Sequence, residues 1–305
     1  MSTEPPANST PSVPPPAPRY VREVLELEQL DTNLFRSRTN QVNANRSLFG
    51  GQILAQGLKA AALTVEPDRH AHSLHGYFLL AGASDIPVIY DVELTRDGGS
   101  FSTRRVVARQ RAKTIFHMEL SFHRTEPGFE HDSTLDAPVP EPETLLNTYQ
   151  LAEQYASVLP PGVLSRDLGQ SIIELKPVNP EDFFLHRAKS ARGQYWVRAN
   201  SSLPDDPLTQ QAALAYLSDY FLMTTVLLNH PNSALASQIM LASLDHAMWF
   251  HRPCRADEWL LVDAVSPFAG GARGLTLGRI FDRNRQLVAS VAQEGLVRQV
   301  TSKPA

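Results

Sequence analysis

The sequence predicts an α+β protein built from two tandem copies of one unit, each a buried helix wrapped by an antiparallel sheet. Three observations carry this. The chain has 305 residues, more than one typical domain needs. A displacement of 172 positions superposes two stretches without net insertion: Phe49 falls on Phe221, Phe78 on Phe250, Asp85 on Asp257, Asp91 on Asp263, and Gly98-Gly99 on Gly270-Gly271. Each stretch then reads as a long apolar segment followed by strand-length runs separated by turn residues.

Residues 1–20 are rich in Pro, Ser and Thr with no apolar core, and are expected to form a flexible tail. They lack the charged start and apolar stretch of a secretion signal. The first unit spans 21–124. Its segment Phe49 to Val65 carries one charge, Lys59, and a helix apolar nearly all round must be buried. Strand-like runs follow at His72–Leu80, Pro87–Arg96, Phe101–Gln110 and Thr114–His123. Residues 125–165 form an acidic, proline-rich linker with a short helix near Glu143–Ala156. The second unit spans 166–300. Its apolar segment Ala215 to His230 holds one carboxylate, Asp219, and its strands run Ser243–His251, Trp259–Ser266, Gly274–Asp282 and Gln286–Val297. Residues 301–305 are a second tail. A buried helix in a long antiparallel sheet is the hotdog arrangement. Two such units make a double hotdog, with the sheets joined edge to edge so that one chain imitates a dimer.

Composition narrows the function. Hydrophobic residues are 42%, charged residues 20% and the net charge is -4, values of a soluble globular protein with no bias toward nucleic acid. The single cysteine, Cys254, can form no internal disulfide and reads as a passive strand-end residue; a metal site has no support, and no cofactor is implied. No apolar run is long enough to span a bilayer. The expected compartment is the cytoplasm, since the chain ends Ser-Lys-Pro-Ala and not in the peroxisomal Ser-Lys-Leu.

Comparing the copies isolates candidate chemistry. The second places Asp219 in its buried helix, near a helix start, Ser243 at the start of a strand and Gln293 in its last strand. Subtracting the displacement gives Ser47, Ala71 and Ser121, so acid, hydroxyl and amide occur together once. A carboxylate among apolar neighbours gains proton affinity and suits a general base acting on water. The hydroxyl and amide would align that water. A helix N-terminus would supply N–H donors to an oxyanion, and Gly50-Gly51 would let substrate approach the backbone. His72 is a competing base, also unique to one copy, since its counterpart is Leu244. His246 and Trp249 are expected to pack or bridge the two sheets. One conflict remains. Gln293 shares a strand face with Leu287, Ala289 and Val291, whereas the apolar face of the matching strand is Phe116, Met118, Leu120 and Phe122, the opposite phase. A bulge in one strand, or a misassigned face, would explain this.

Several segments together resemble one family: Leu48-Phe49-Gly50-Gly51-Gln52, His72-Ser73-Leu74-His75-Gly76-Tyr77-Phe78, Tyr90-Asp91-Val92, Arg96-Asp97-Gly98, Leu244 through Pro253, and Gln293-Glu294-Gly295. From about Leu25 to Arg298 the chain is similar to the acyl-CoA thioesterase II (TesB-like) family. The resemblance implies hydrolysis of acyl-CoA to fatty acid and coenzyme A, with water activated by an aspartate, a serine or threonine, and a glutamine, here Asp219, Ser243 and Gln293. The implied partner is the acyl-CoA substrate, and a homo-oligomer, dimer or tetramer, is expected. The alternatives are a hotdog hydratase or dehydratase and a non-catalytic acyl-CoA-binding module. A Ser-His-Asp esterase is disfavoured by the lack of a Gly-x-Ser-x-Gly elbow.

Overall fold

The structure, a computed structural model, describes residues 14–43, 46–157, 172–185, 192–230 and 239–299. The calls for residues 1–13 and 301–305 as tails, and for 158–165 as linker, lie outside these. In chain order the elements are α1 (Val21–Val24), β1 (Leu27–Asp31), β2 (Leu34–Ser37), α2 (Gly50–Ala62), β3 (Arg69–Phe78), β4 (Ile89–Asp97), β5 (Phe101–Gln110) and β6 (Lys113–Arg124). They continue with α3 (Thr148–Gln154), β7 (Ile173–Pro177), α4 (Pro180–Leu185), β8 (Arg192–Ala199) and α5 (Pro207–Ser218). After α5 come a 3-10 helix (Met223–Asn229), β9 (Ile239–Ser243), β10 (Asp245–Phe250), β11 (Leu260–Gly270), β12 (Arg273–Phe281) and β13 (Leu287–Gln299).

One 13-stranded sheet runs in the order β1-β2-β4-β5-β6-β3-β10-β13-β12-β11-β8-β7, with β9 added on β13. All pairings are antiparallel. The halves meet where β3 pairs with β10, in a register symmetric about His75 and Ala247: Leu74 faces Met248, and Gly76 faces His246. Those two central residues are themselves 172 positions apart, so the sequence repeat appears in space as a two-fold relation. The strands alternate buried and exposed residues, as in β5. α2 lies over β3 to β6 of its own half and alongside α5 of the other.

The phase conflict resolves at a turn. β5 and β6 are joined by Arg111-Ala112, both at positive φ (46° and 62°), the mirror-type turn of tight hairpins. The equivalent β12–β13 connection is Arg283-Asn284-Arg285, one residue longer, closed by Asp282 and Gln286. From there on the second half runs one position later: Ala108 pairs with Phe116, and Ile280 with Ala289. Each strand skips one residue just before that pair, Ile115 in β6 and Val288 in β13. Gln293 therefore corresponds to Leu120, not Ser121, and both point inward.

The second apolar segment also differs from its reading. It is not one helix. Asp206 caps α5 through the Thr209 N–H, with Pro207 at the first helical position; α5 ends at Ser218, and Asp219 is its C-cap. Asp219 thus closes a helix and does not open one. Phe221, at φ 58°, turns the chain into the 3-10 helix, which lies over β11, β12 and β13 where α2 lies over β4, β5 and β6. Five strands, β1, β2, β7, β8 and β9, were not expected: β1 and β2 are short and polar, β7 and β8 fall ahead of the repeat, and β9 ends on Ser243, where one strand Ser243–His251 was expected. The linker is more than a tether, since Val139 is buried with Trp196, Trp259 and Phe281, and Pro140 O accepts the Trp196 indole N–H at 2.9 Å.

Candidate active site

Three elements of the second half bring Asp219, Ser243 and Gln293 together. β9 ends on Ser243, and pairs with β13 so that Ser243 faces Gly295, two residues beyond Gln293. The break after α5 delivers Asp219. Gln293 Nε2 donates to Asp219 Oδ1 at 2.7 Å and to Ser243 Oγ at 3.0 Å. Both amide protons are thereby used, which fixes the amide orientation and leaves the Ser243 hydroxyl proton available. Gln293 is fully buried, and the Asp219 side chain is 6% exposed. Burial pushes the Asp219 carboxyl up to about 6, against hydrogen bonds from Gln293 and the Gly51 N–H that pull it down.

The first half contributes a wall. α2 begins at Gly50 with no side chain capping its N-terminus, and the Gly51 N–H donates to Asp219. A Cβ on Gly50 would stand 2.7 Å from Asp219 Oδ2 and 3.1 Å from the Phe78 ring; one on Gly51 would stand 2.5 Å from Tyr216 O. The two glycines therefore admit Asp219 and α5 to the helix end. The N-terminus facing the site is that of α2, not of the helix that carries the acid, so the site is shared between halves.

His72 is elsewhere. It lies six residues along β3 from Phe78, about 20 Å at the rise of a strand, and its Nε2 is 2.8 Å from Ser121 Oγ. With Ala71, the counterpart of Ser243, it lines a cavity of about 620 Å3 that includes none of Asp219, Ser243 and Gln293. Burial pushes the Cys254 thiol up to about 12, away from the thiolate form that reacts. Among the described residues no group of three or more His, Cys, Asp or Glu side chains could hold a metal, and no helix is long and apolar enough to cross a membrane.

Two further side chains border the site. His246, expected to bridge the sheets, does pair across the seam with Gly76, but its Nδ1 is also 3.9 Å from Asp219 Oδ1. Thr276 faces Gln293 across β12 and β13; it is fully buried. The repeat held a signal for His246, because its counterpart is Leu74. For Thr276 the counterpart, Arg104, is also polar and gives none.

The chain is similar to known acyl-CoA thioesterases. Residues 39–123 match the family model described as acyl-CoA thioesterase N-terminal domain, and 168–296 match that described as acyl-CoA thioesterase. Human acyl-coenzyme A thioesterase 8 is 42% identical over 286 residues, covering 91% of this chain and 88% of that protein. Acyl-CoA thioesterase 2 of Haemophilus influenzae is 37% identical over 275 residues, covering 90% and 96%. The crystal structure of an acyl-CoA thioesterase II from Mycobacterium marinum superposes with a TM-score of 0.75 at 40% identity, covering 92% of this chain and 99% of that one. The chain therefore belongs to the acyl-CoA thioesterase II (TesB-like) family, and is an acyl-CoA thioesterase with a double-hotdog fold.

Proposed function

We propose that this thioesterase hydrolyses acyl-CoA by direct attack of a water that Asp219 deprotonates, with Ser243 and Gln293 holding the geometry. The observation that carries this reading is the single Gln293 amide bonded at once to Asp219 and Ser243. A water seated between Asp219 and Ser243 gives one proton to the carboxylate while accepting a hydrogen bond from the Ser243 hydroxyl, which keeps its proton. Its remaining lone pair then faces the thioester carbonyl. The water O–H bond breaks as the O–C bond forms; collapse of the tetrahedral intermediate breaks C–S, and the thiolate recovers the proton from Asp219. The uncapped α2 N-terminus, with Gly50 at its head, offers N–H groups to the oxyanion. Gln293 orients the two residues that touch the water. Desolvation suits the base, since a carboxyl near pH 6 is ionised at neutral pH yet a stronger acceptor than an exposed one.

The test measures thiol release from acyl-CoAs of graded chain length. Asp219→Ala is expected to remain folded and lose about a hundredfold or more in kcat; Ser243→Ala and Gln293→Ala lose less. Near-wild-type turnover in folded Asp219→Ala would remove Asp219 from the mechanism. Turnover of enoyl-CoA by hydration would favour the hydratase reading, and binding without thiol release the non-catalytic one. Dimeric or tetrameric assembly belongs to this reading and is checked by light scattering.

A further inference from the structure

His246 sits in the middle of β10, its side chain fully enclosed. Ser218, the last residue of α5, has one hydroxyl proton and donates it to Ala215 O at 2.8 Å. The same Oγ is 3.0 Å from His246 Nε2, so in that contact the imidazole is the donor. The proton is on Nε2, and Nδ1 carries the lone pair. Nδ1 is buried with no hydrogen-bond partner among the described residues. It lies 3.9 Å from Asp219 Oδ1, the oxygen that accepts from Gln293.

Packing alone does not account for an imidazole here. The two-fold relation places Leu74 at the matching position of the first half, also fully buried. Leucine fills that place without leaving a buried nitrogen unpaired, which carries a desolvation cost. The same relation pairs Ser243 with Ala71 and Gln293 with Leu120, so His246 is polar where the proposed catalytic groups are polar and apolar where they are apolar.

We propose that His246 is a positioning residue for thioester hydrolysis, its Nδ1 lone pair receiving the hydrogen bond of the carboxylic acid that Asp219 becomes when it takes a proton from water. The inference rests on Asp219 being the base. When the water O–H bond breaks and the Asp219 O–H bond forms, the new acid turns from a group facing a lone pair into a donor to it. Closing the gap to hydrogen-bond length needs a movement of about 1 Å. The proton stays on Asp219 and returns to the leaving thiolate, so His246 changes no charge. Before that transfer, lone pair and carboxylate oppose each other, which keeps Asp219 basic. The other titratable groups facing Asp219 are phenols: Tyr195 on β8, Tyr216 on α5 and Tyr220 beyond it, all raised by burial above their ordinary range and neutral throughout. α2 presents only backbone N–H groups there. Further along the strands lie Asp245 and Glu294. Burial pushes the imidazole itself down to about 3, so it stays neutral at working pH.

The experiment is the pH dependence of kcat and KM for His246→Gln, whose amide reproduces the Nε2–H donor toward Ser218 without an Nδ1 acceptor, and for His246→Leu, the first-half residue. Asp219→Asn and melting curves run alongside. The expected result for both His246 variants is a kcat lower by about tenfold, the rate equivalent of one ordinary hydrogen bond. KM stays within about twofold and the acid limb moves to lower pH, because the protonated form of Asp219 has lost its acceptor. A folded His246→Gln enzyme with wild-type kcat and an unmoved limb overturns the proposal, as does a limb that moves up. If Asp219→Asn hydrolyses at the wild-type rate, the base assignment itself fails and this inference falls with it. An inactive Asp219→Asn beside a wild-type His246→Gln sinks the role of His246 alone.

Discussion

A methyl group at Gly50 would stand 2.7 Å from Asp219 Oδ2, closer than a carbon and an oxygen approach without a bond. The Asp219 side chain would have to move, and positioned catalytic groups lose about a hundredfold when displaced by 1 Å. Gly50→Ala is therefore expected to lower kcat by about tenfold or more while leaving the melting temperature near wild type; steady-state kinetics beside a melting curve check this. Asp219 itself carries a cost. Its carboxyl is raised to about 6 in the fold against 3.8 unperturbed, so the folded state holds its proton more tightly than the unfolded one. That contribution to stability is complete below pH 4 and lost as pH rises through 6, leaving about 3 kcal/mol of destabilisation at neutral pH. Asp219→Asn keeps an acceptor for Gln293 and removes the charge. It should melt higher than wild type at pH 8, by a margin that shrinks toward pH 4. A margin independent of pH would show that the buried carboxylate is not the source.

At the scale of elements, the site depends on one helix end meeting another. Gly51 brings the N-terminus of α2 against Tyr216 O near the end of α5, where any Cβ would stand 2.5 Å from that carbonyl. Gly51→Ala should force the two helices apart and cost about 1–3 kcal/mol, the usual range for overpacking, measured by chemical denaturation. This contact was not legible in the sequence. Their place just inside the first helix made the glycines visible only as a place of close approach by substrate; in the fold Asp219 and α5 also approach there. The strands from β3 to β6 and from β10 to β13 were legible because alternation and turn residues are local signals. The break at Asp219 was not, because α5 and the 3-10 helix form one apolar run, and only the positive φ of Phe221 divides it. The Gln293 phase conflict was visible as a conflict, and its cause lay in one extra residue at the β12–β13 turn.

Across the whole molecule, one continuous sheet carries two halves that have diverged at a few inward positions. Ser243, His246 and Gln293 in the second half stand where the first has Ala71, Leu74 and Leu120. The first half keeps His72 at a separate cavity instead. His72→Ala should accordingly reduce thiol release far less than Asp219→Ala; the reverse order would move the chemistry to the first half. Sequence comparison between halves singled out Asp219 and Ser243 because a carboxylate or hydroxyl opposite a different group needs no register finer than a strand. The same comparison sets His246 opposite Leu74, although the histidine was expected to pack or bridge the two sheets.

A single turnover in oxygen-18 water, with enzyme in excess over acyl-CoA, separates direct attack by water from attack by the Asp219 carboxylate whose anhydride water then opens at the Asp219 carbon. Attack by the water that Asp219 deprotonates places the heavy oxygen in the released fatty acid and none in the protein. A first turnover that yields unlabelled acid, with oxygen-18 recovered in the Asp219 carboxyl, would mean that the carboxylate attacks the thioester itself, and would contradict the role assigned to Asp219.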